Sequence, residues 1–317
     1  MRLQPSRLLL IFFCAEACFA QDRVVVYPSL SAGGSAVIEG RITKFEERSA
    51  PSADDGKRDN MSRTLGMLNN KERKNWPVTV RLDKREWRAT TDAEGYFHVV
   101  ATGIETTPGW KTISAHTTDA KGEAGLLVVP TSNVHGIISD VDDTIQVTEV
   151  NSTRRMLANT LMMNPLQRQA VPGVVEFYRS LARANPQPES APIFFVSASP
   201  RQLHESITAF LDHNQFPKGV LITKRVTNDS TSEPLRDQFA YKTAKIEEIF
   251  KSAPNIRYTL IGDDGEQDPE IFAALRERFP DRIKAIWIRH VNPDPNRARL
   301  PGQGVLNDEL AKYLEKR

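Results

Sequence analysis

The chain has 317 residues, of which 39% are hydrophobic and 26% charged, with 42 lysines and arginines against 40 acids. This balance excludes collagen, coiled-coil arrays and wholesale disorder, and the length suits two domains. The net charge of +2 gives no bulk attraction for nucleic acid or anionic membrane, and no run nears the ~20 apolar residues of a membrane span.

Arg2 and Arg7 precede the apolar run Leu8–Phe13, and small residues follow at Ala17 and Ala20. This pattern predicts a secretory signal peptide over residues 1–20 and an exported chain, periplasmic or secreted. A buried first strand or helix is the competing reading. Both cysteines, Cys14 and Cys18, lie inside this leader, so the mature chain would have no disulfide.

From residue 21 to 130 the pattern is strand-like. Short β-branched or aromatic runs at Val37–Ile38, Val78–Val80, Phe97–Val100 and Leu126–Val129 are separated by Gly, Asp and Pro turns. They predict an all-β, antiparallel sandwich. Thr91–Phe97 reads as a hairpin turn entering a strand, and it resembles the turn of transthyretin-like and carboxypeptidase-regulatory sandwich modules. Residues 46–75 form a polar insertion carrying Lys57, Arg58, Arg63, Lys71, Arg73 and Lys74. Two readings stand for it, a solvated loop and a surface that meets anionic lipid.

Over residues 131–317 the apolar runs Val134–Ser139, Ile193–Val196, Val220–Thr223, Tyr258–Ile261 and Ile283–Ile288 alternate with helical-period segments. Continuous apolar strands alternating with helices predict an α/β unit whose parallel sheet is covered on both faces. Ligands of such sheets bind at the carboxyl ends of the strands. The residues just past each strand therefore carry the chemistry.

The first run ends in Asp140-Val141-Asp142-Asp143-Thr144, and strand alternation puts Asp140 and Asp142 on one side. Carboxylates this dense repel unless a cation or proton sits among them, and oxygen ligands suit Mg²⁺. The second run delivers Ser197, ahead of Ala198-Ser199-Pro200. Lys242 opens a helical segment, and the fourth run ends in Gly262-Asp263-Asp264-Gly265-Glu266-Gln267-Asp268. Read singly, Ser197 and Asp268 would equally serve as helix caps and Lys242 as a solvated side chain.

Taken together and in order, Asp-x-Asp-x-Thr, a strand-end Ser, a Lys and Gly-Asp-x4-Asp resemble the four motifs of the haloacid dehalogenase phosphatase superfamily, over about 134–291. The segments Ile138–Ile145, Val196–Leu203 and Leu260–Ile271 resemble the branch of fungal actin-patch-protein phosphatidate phosphatases. This resemblance implies a Rossmann-like parallel sheet and a Mg²⁺-dependent phosphatase acting on phosphatidate or a related lipid phosphate at a membrane. It implies Asp140 as nucleophile, Asp142 as general acid and base, and Ser197 and Lys242 on the phosphoryl group. Thr144 joins Ser197 and Lys242 in the substrate-binding set by supporting the loop. Asp140, Asp142 through its carbonyl, Asp263 and Asp268 form the metal set. Ala198 and Asp264 depart from the branch, which bears on lipid specificity and leaves the phosphatase chemistry untouched.

The segment 146–191 leaves little room for a large cap, so bulky substrates would reach the site. Its apolar piece Met156–Met163 reads as core or as part of a small cap. A phosphatase for soluble phosphoesters or phosphoproteins remains open, as does an inactive binding protein, although the nucleophile, acid, lysine and second-strand Asp are all present. A receiver-like signalling module is rejected because its phosphoacceptor lies on a later strand than its acidic pair.

Overall fold

The computed structural model describes residues 21–105, 107–147, 162–227, 232–233, 237–291, 297 and 299–315. The leader reading for 1–20, and all but the end of the apolar stretch 156–163, lie outside these residues. Among the described residues no helix is long and apolar enough to cross a membrane.

The first sheet has eight strands: β1 (Asp22–Val26), β2 (Ser29–Ala32), β3 (Ser35–Lys44), β4 (Pro77–Leu82), β5 (Arg85–Thr90), β6 (Tyr96–Thr102), β7 (Gly109–His116) and β8 (Lys121–Val128). Alternate residues such as Val24, Ile38, Ile42, Val80, Phe97, Val99 and Ile113 point into one shared core. Two details depart from the predicted antiparallel hairpins. Strands β2 and β8 are parallel. The turn at Thr91–Phe97 forms, with Asp92 Oδ1 accepting the Glu94 and Tyr96 amides at 2.9 Å each. It does not close a hairpin, because β5 pairs with β4 and β6 pairs with β3. The long strand β3 offers β6 seven partners, Ser35–Arg41, which settles where β6 goes.

The polar insertion is not simply a loop. It contains helix α1 (Lys57–Leu68), whose Asp59 carboxylate accepts the Gly56 amide at 3.2 Å.

The second sheet is wholly parallel: β9 (His135–Ser139), β10 (Ile193–Pro200), β11 (Val220–Lys224), β12 (Arg257–Asp263), β13 (Ile283–Arg289) and β14 (Gly304–Val305), in the order β11-β10-β9-β12-β13-β14. Helices α2 (Val174–Ala182), α3 (His204–His213), α4 (Gln238–Ser252), α5 (Asp268–Arg278) and α6 (Leu306–Leu314) complete it. Consecutive strand residues divide between two cores. Ile137, Phe195 and Ile261 pack with α2, α3 and α6, while Ile138, Phe194 and Leu260 pack with α4 and α5. Burial on both faces is why these strands read as unbroken apolar runs. Counted within this sheet the order is 3-2-1-4-5-6, so the direction of winding reverses between β9 and β12. The crevice past those two strands is where such sheets bind ligands.

Candidate active site at the β9–β12 switch point

Ser139 stands opposite Ile261, and the Asp140 amide donates to the Ile261 carbonyl at 2.9 Å. That bond carries the ladder one residue past β9 and sets Asp140 beside Asp263, the last residue of β12. The chain then turns. Asp143 adopts φ 58°, a left-handed conformation that Asp tolerates better than most residues. The Thr144 amide donates to the Asp142 carbonyl at 2.7 Å. Arg289, from the end of β13, holds the Asp143 carbonyl. The turn brings the Thr144 hydroxyl to 3.0 Å from Asp140 Oδ2 and 2.9 Å from Asp263 Oδ2, tying the two strand ends together. Thr144 is fully buried, so its contact is with these carboxylates.

Lys242 lies inside α4 rather than at its opening. Its Nζ is 2.9 Å from Asp140 Oδ1, 2.6 Å from Asp268 Oδ1 and 3.4 Å from Glu266 Oε2. Asp268 begins α5, and its Oδ2 accepts the Asp263 amide at 3.4 Å. This close approach requires a glycine at 262, where a Cβ would stand 2.4 Å from Asp268 Oδ2.

Asp140, Asp263 and Asp268 each offer an oxygen within 4.8 Å of the others, and all three are buried. Burial pushes all three carboxyls up. Lys242 opposes this, while neighbouring acids add to it. Burial also works against the Lys242 charge, and Asp140, Asp268 and Glu266 outweigh it and hold the ammonium charged. One lysine among four acids leaves the cluster short of positive charge. An all-oxygen donor set with excess buried negative charge fits a hard divalent cation.

Strand alternation placed Asp140 and Asp142 together, and the structure corrects this. Because β9 ends at Ser139, Asp142 lies in the turn, where the two-residue period no longer holds. Its carboxylate stays out of the acidic cluster, and Oδ2 accepts the hydroxyls of Ser197 and Ser199, each at 3.1 Å. Its carbonyl, the expected metal ligand, accepts the Thr144 amide. Ser197 and Lys242, expected on the phosphoryl group, are thus engaged here by Asp142 and by Asp140, Asp268 and Glu266. Burial, then Glu266, pushes the Asp142 carboxyl up, and Arg168 and the two hydroxyls partly offset this. Burial and Asp142 push Asp143 up to about 6.

Several neighbours escaped the sequence reading. Ser199 was visible through its spacing, since β10 stays extended to Pro200 and i, i+2 residues share a side. Glu266 stood unassigned inside a motif. Arg168 had no local signal, because it lies outside any strand end and reaches Asp142 only through the fold. Lys224 ends β11 almost fully buried, with its Nζ 4.8 Å from the centre of the Tyr241 ring, whose hydroxyl donates to the Ser197 carbonyl at 3.2 Å. Asp264, a departure from the branch, turns away from the cluster. It accepts from His290 Nδ1 at 2.6 Å and from the Val291 amide at 2.8 Å, fastening the chain beyond β13.

Comparison with known proteins adds an independent line. Residues 135–290 match the family model described as "Phosphatidate phosphatase APP1, catalytic domain". An uncharacterized protein of Schizosaccharomyces pombe is 30% identical over 222 residues, covering 66% of this chain and 35% of that protein. "Phosphatidate phosphatase APP1" of Saccharomyces cerevisiae is 31% identical over 154 residues, covering 49% of this chain and 25% of that protein. The chain therefore spans about a third or less of the length of these relatives. Among solved structures, the Pnkp1/Rnl/Hen1 complex aligns over 52% of this chain and 47% of that chain at 19% identity, with a TM-score of 0.33.

Proposed function

We propose that residues 135–290, which match the APP1 phosphatidate phosphatase catalytic-domain model, belong to that family, and that the chain is a Mg²⁺-dependent phosphomonoesterase that hydrolyses phosphatidate to diacylglycerol. The observation that carries this reading is Lys242 Nζ, set 2.9 Å from Asp140 and 2.6 Å from Asp268 within a buried three-carboxylate cluster at the sheet's switch point. We read residues 21–130 as a β-sandwich-like domain and 131–317 as a haloacid dehalogenase-like domain. The separate cores of the two sheets support that division.

In this mechanism an Asp140 oxygen attacks phosphorus, and the bond from phosphorus to the ester oxygen breaks. Asp142 donates its proton to the leaving alkoxide, giving the alcohol and an aspartyl-phosphate on Asp140. Asp142, now a carboxylate, takes a proton from water as that water attacks the same phosphorus. Inorganic phosphate leaves and Asp140 is regenerated. The raised Asp142 carboxyl suits a group that must hold a proton near neutral pH and then release it. Lys242 favours the ionised Asp140 that attack requires and would turn to the phosphoryl oxygens as negative charge moves onto them. Ser197 orients the Asp142 carboxylate and would also reach the phosphoryl group. Bound Mg²⁺, held by Asp140, Asp263, Asp268 and the Asp142 carbonyl, would screen the repulsion between carboxylate and phosphate. Export remains part of the reading on the strength of the leader pattern, and sequencing the N-terminus of the exported chain tests it.

The test is phosphate release from phosphatidate vesicles and from a soluble phosphoester, with and without Mg²⁺, using the full chain and Asp140→Asn. Release from vesicles well above the soluble rate, lost without Mg²⁺ and in Asp140→Asn, is the expected result. Release from the soluble ester alone keeps the chemistry and overturns the lipid substrate. Release unaffected by Asp140→Asn overturns the mechanism.

A further inference from the structure

Helix α1 is amphipathic the wrong way round. Its inward residues are polar: Asn60 and Thr64 are 2% and 5% exposed. Asn60 Nδ2 donates to the Met162 carbonyl at 2.9 Å and to Gln167 Oε1 at 2.7 Å, while its Oδ1 accepts from Asn164 Nδ2 at 3.1 Å. Met67 anchors the same side against the core of the parallel sheet. Three of the outward residues are apolar: Met61, Leu65 and Leu68 are 39%, 51% and 37% exposed. Their i, i+4, i+7 spacing makes them one stripe. Lys57 and Arg58 fall on either side of that stripe at 100° per residue, and Lys71 and Lys74 follow just beyond the helix, all exposed. Over 57–75 six basic residues face two acids, Asp59 and Glu72, and Glu72 pairs with Arg41 at 3.1 Å.

We infer that α1 is a membrane-docking helix that lays Met61, Leu65 and Leu68 into the surface of an anionic lipid bilayer, with Lys57, Arg58, Lys71 and Lys74 against the head groups. Burying three apolar side chains beside cations is the arrangement of an interfacial helix. The charge selects a lipid surface over an apolar protein groove, which would leave these cations without partners. Position agrees. Helix α1 packs beside the turn Arg201–Leu203 that follows β10, at the same end of the sheet as Asp140 and Ser197. A bilayer held there would present head groups to the crevice. The occupant rests on the lipid-phosphate reading above, while the surface itself does not.

The experiment is flotation of the full chain with phosphatidylcholine vesicles, with and without added phosphatidylglycerol, which carries no phosphomonoester. The full chain is expected to float with the anionic vesicles. The triple variant Met61→Ser, Leu65→Ser, Leu68→Ser weakens binding on the order of a hundredfold, and Lys57→Gln and Arg58→Gln each weaken it about fivefold, to anionic vesicles only. Hydrolysis of a soluble phosphomonoester is unchanged in all of them. No flotation with anionic vesicles, or equal flotation of the triple variant, overturns the inference. So does a full chain that is dimeric where the triple variant is monomeric, which would assign the stripe to a second copy. Phosphatidate in detergent micelles separates the two claims. Hydrolysis there without vesicle binding sinks only the docking helix, and binding without hydrolysis sinks only the substrate.

Discussion

Lys242 Nζ lies 2.6 Å from Asp268 Oδ1, with one side chain 2% exposed and the other fully buried. Neither group has solvent to fall back on: removing Lys242 strands Asp268 among the other acids, whereas removing Asp268 leaves the lysine with Asp140 and Glu266. Lys242→Met, which leaves the buried carboxylates without their cation, is expected to lower unfolding stability by ~3 kcal/mol or more, and Asp268→Asn by less. The double variant Lys242→Met, Asp268→Asn should lose less than the sum of the single variants. Denaturant titration of all three gives the coupling, and strict additivity would mean the pair does not act as a unit.

The acidic cluster makes the opposite prediction for Asp140. Burial and the neighbouring acids raise its carboxyl, so the isosteric amide relieves charge crowding as well as removing the nucleophile. Asp140→Asn should therefore abolish turnover yet unfold no more easily than the unchanged chain in the presence of a chelator. Adding Mg²⁺ should raise the Tm of the unchanged chain in proportion to the logarithm of its concentration, and should do so far less in the variant. Thermal melts across a Mg²⁺ series decide this.

Ser199 tests the acid–base assignment. Its hydroxyl donates to Asp142 at 3.1 Å, a bond that favours the carboxylate form. Without it the Asp142 carboxyl rises further. A general acid must carry its proton, so in Ser199→Ala the alkaline limb of kcat/KM moves to higher pH. The rate on the plateau should fall about tenfold or less. A pH profile with an unmoved alkaline limb would take Asp142 out of the acid role.

His204 supplies a pH effect away from the chemistry. It is 4% exposed beneath Tyr27, with ring centres 4.8 Å apart, and burial followed by Arg201 brings its pKa down to about 4. Between about 6.5 and 4 the unfolded chain takes up a proton here that the folded chain refuses. Stability at this residue is therefore full above that window and falls as pH drops through it, by up to ~3 kcal/mol. His204→Phe should flatten the acid side of a Tm-against-pH curve. An equally steep curve would place the acid sensitivity elsewhere.

Gly262 offers a steric test of the site. An added Cβ would meet the Asp268 carboxylate at 2.4 Å and Asp268 Cβ at 2.6 Å. Gly262→Ala should displace Asp268 from Lys242 and the Asp263 amide, costing turnover by about a hundredfold or more. Far-ultraviolet circular dichroism should stay unchanged. Turnover near that of the unchanged chain would show that Asp268 need not sit where it does.

The parallel sheet and its strand-end acids were legible in the sequence because both depend on short-range pattern. A strand buried on both faces must be apolar throughout, as Ile137, Ile138, Phe194 and Phe195 are, and the residues after it fall at the ligand-binding end. Asp140, Asp263 and Asp268 could be picked out that way, Lys242 only through the order of the four motifs, and all four meet in space. What only the tertiary structure decided involves partners far apart in the chain, or a local period that stops. Strand β6 joins β3 instead of β5 because the long β3 offers it seven partners. Asp142 turns from the cluster to Ser197 and Ser199 because β9 ends before it, and Arg168 reaches Asp142 across a fold with no local signature. Helix α1 is the sharpest case. Its apolar residues repeat at helical spacing, but whether Met61, Leu65 and Leu68 face the core or the solvent was set by where Asn60 finds hydrogen-bond partners in Met162, Asn164 and Gln167, roughly a hundred residues away.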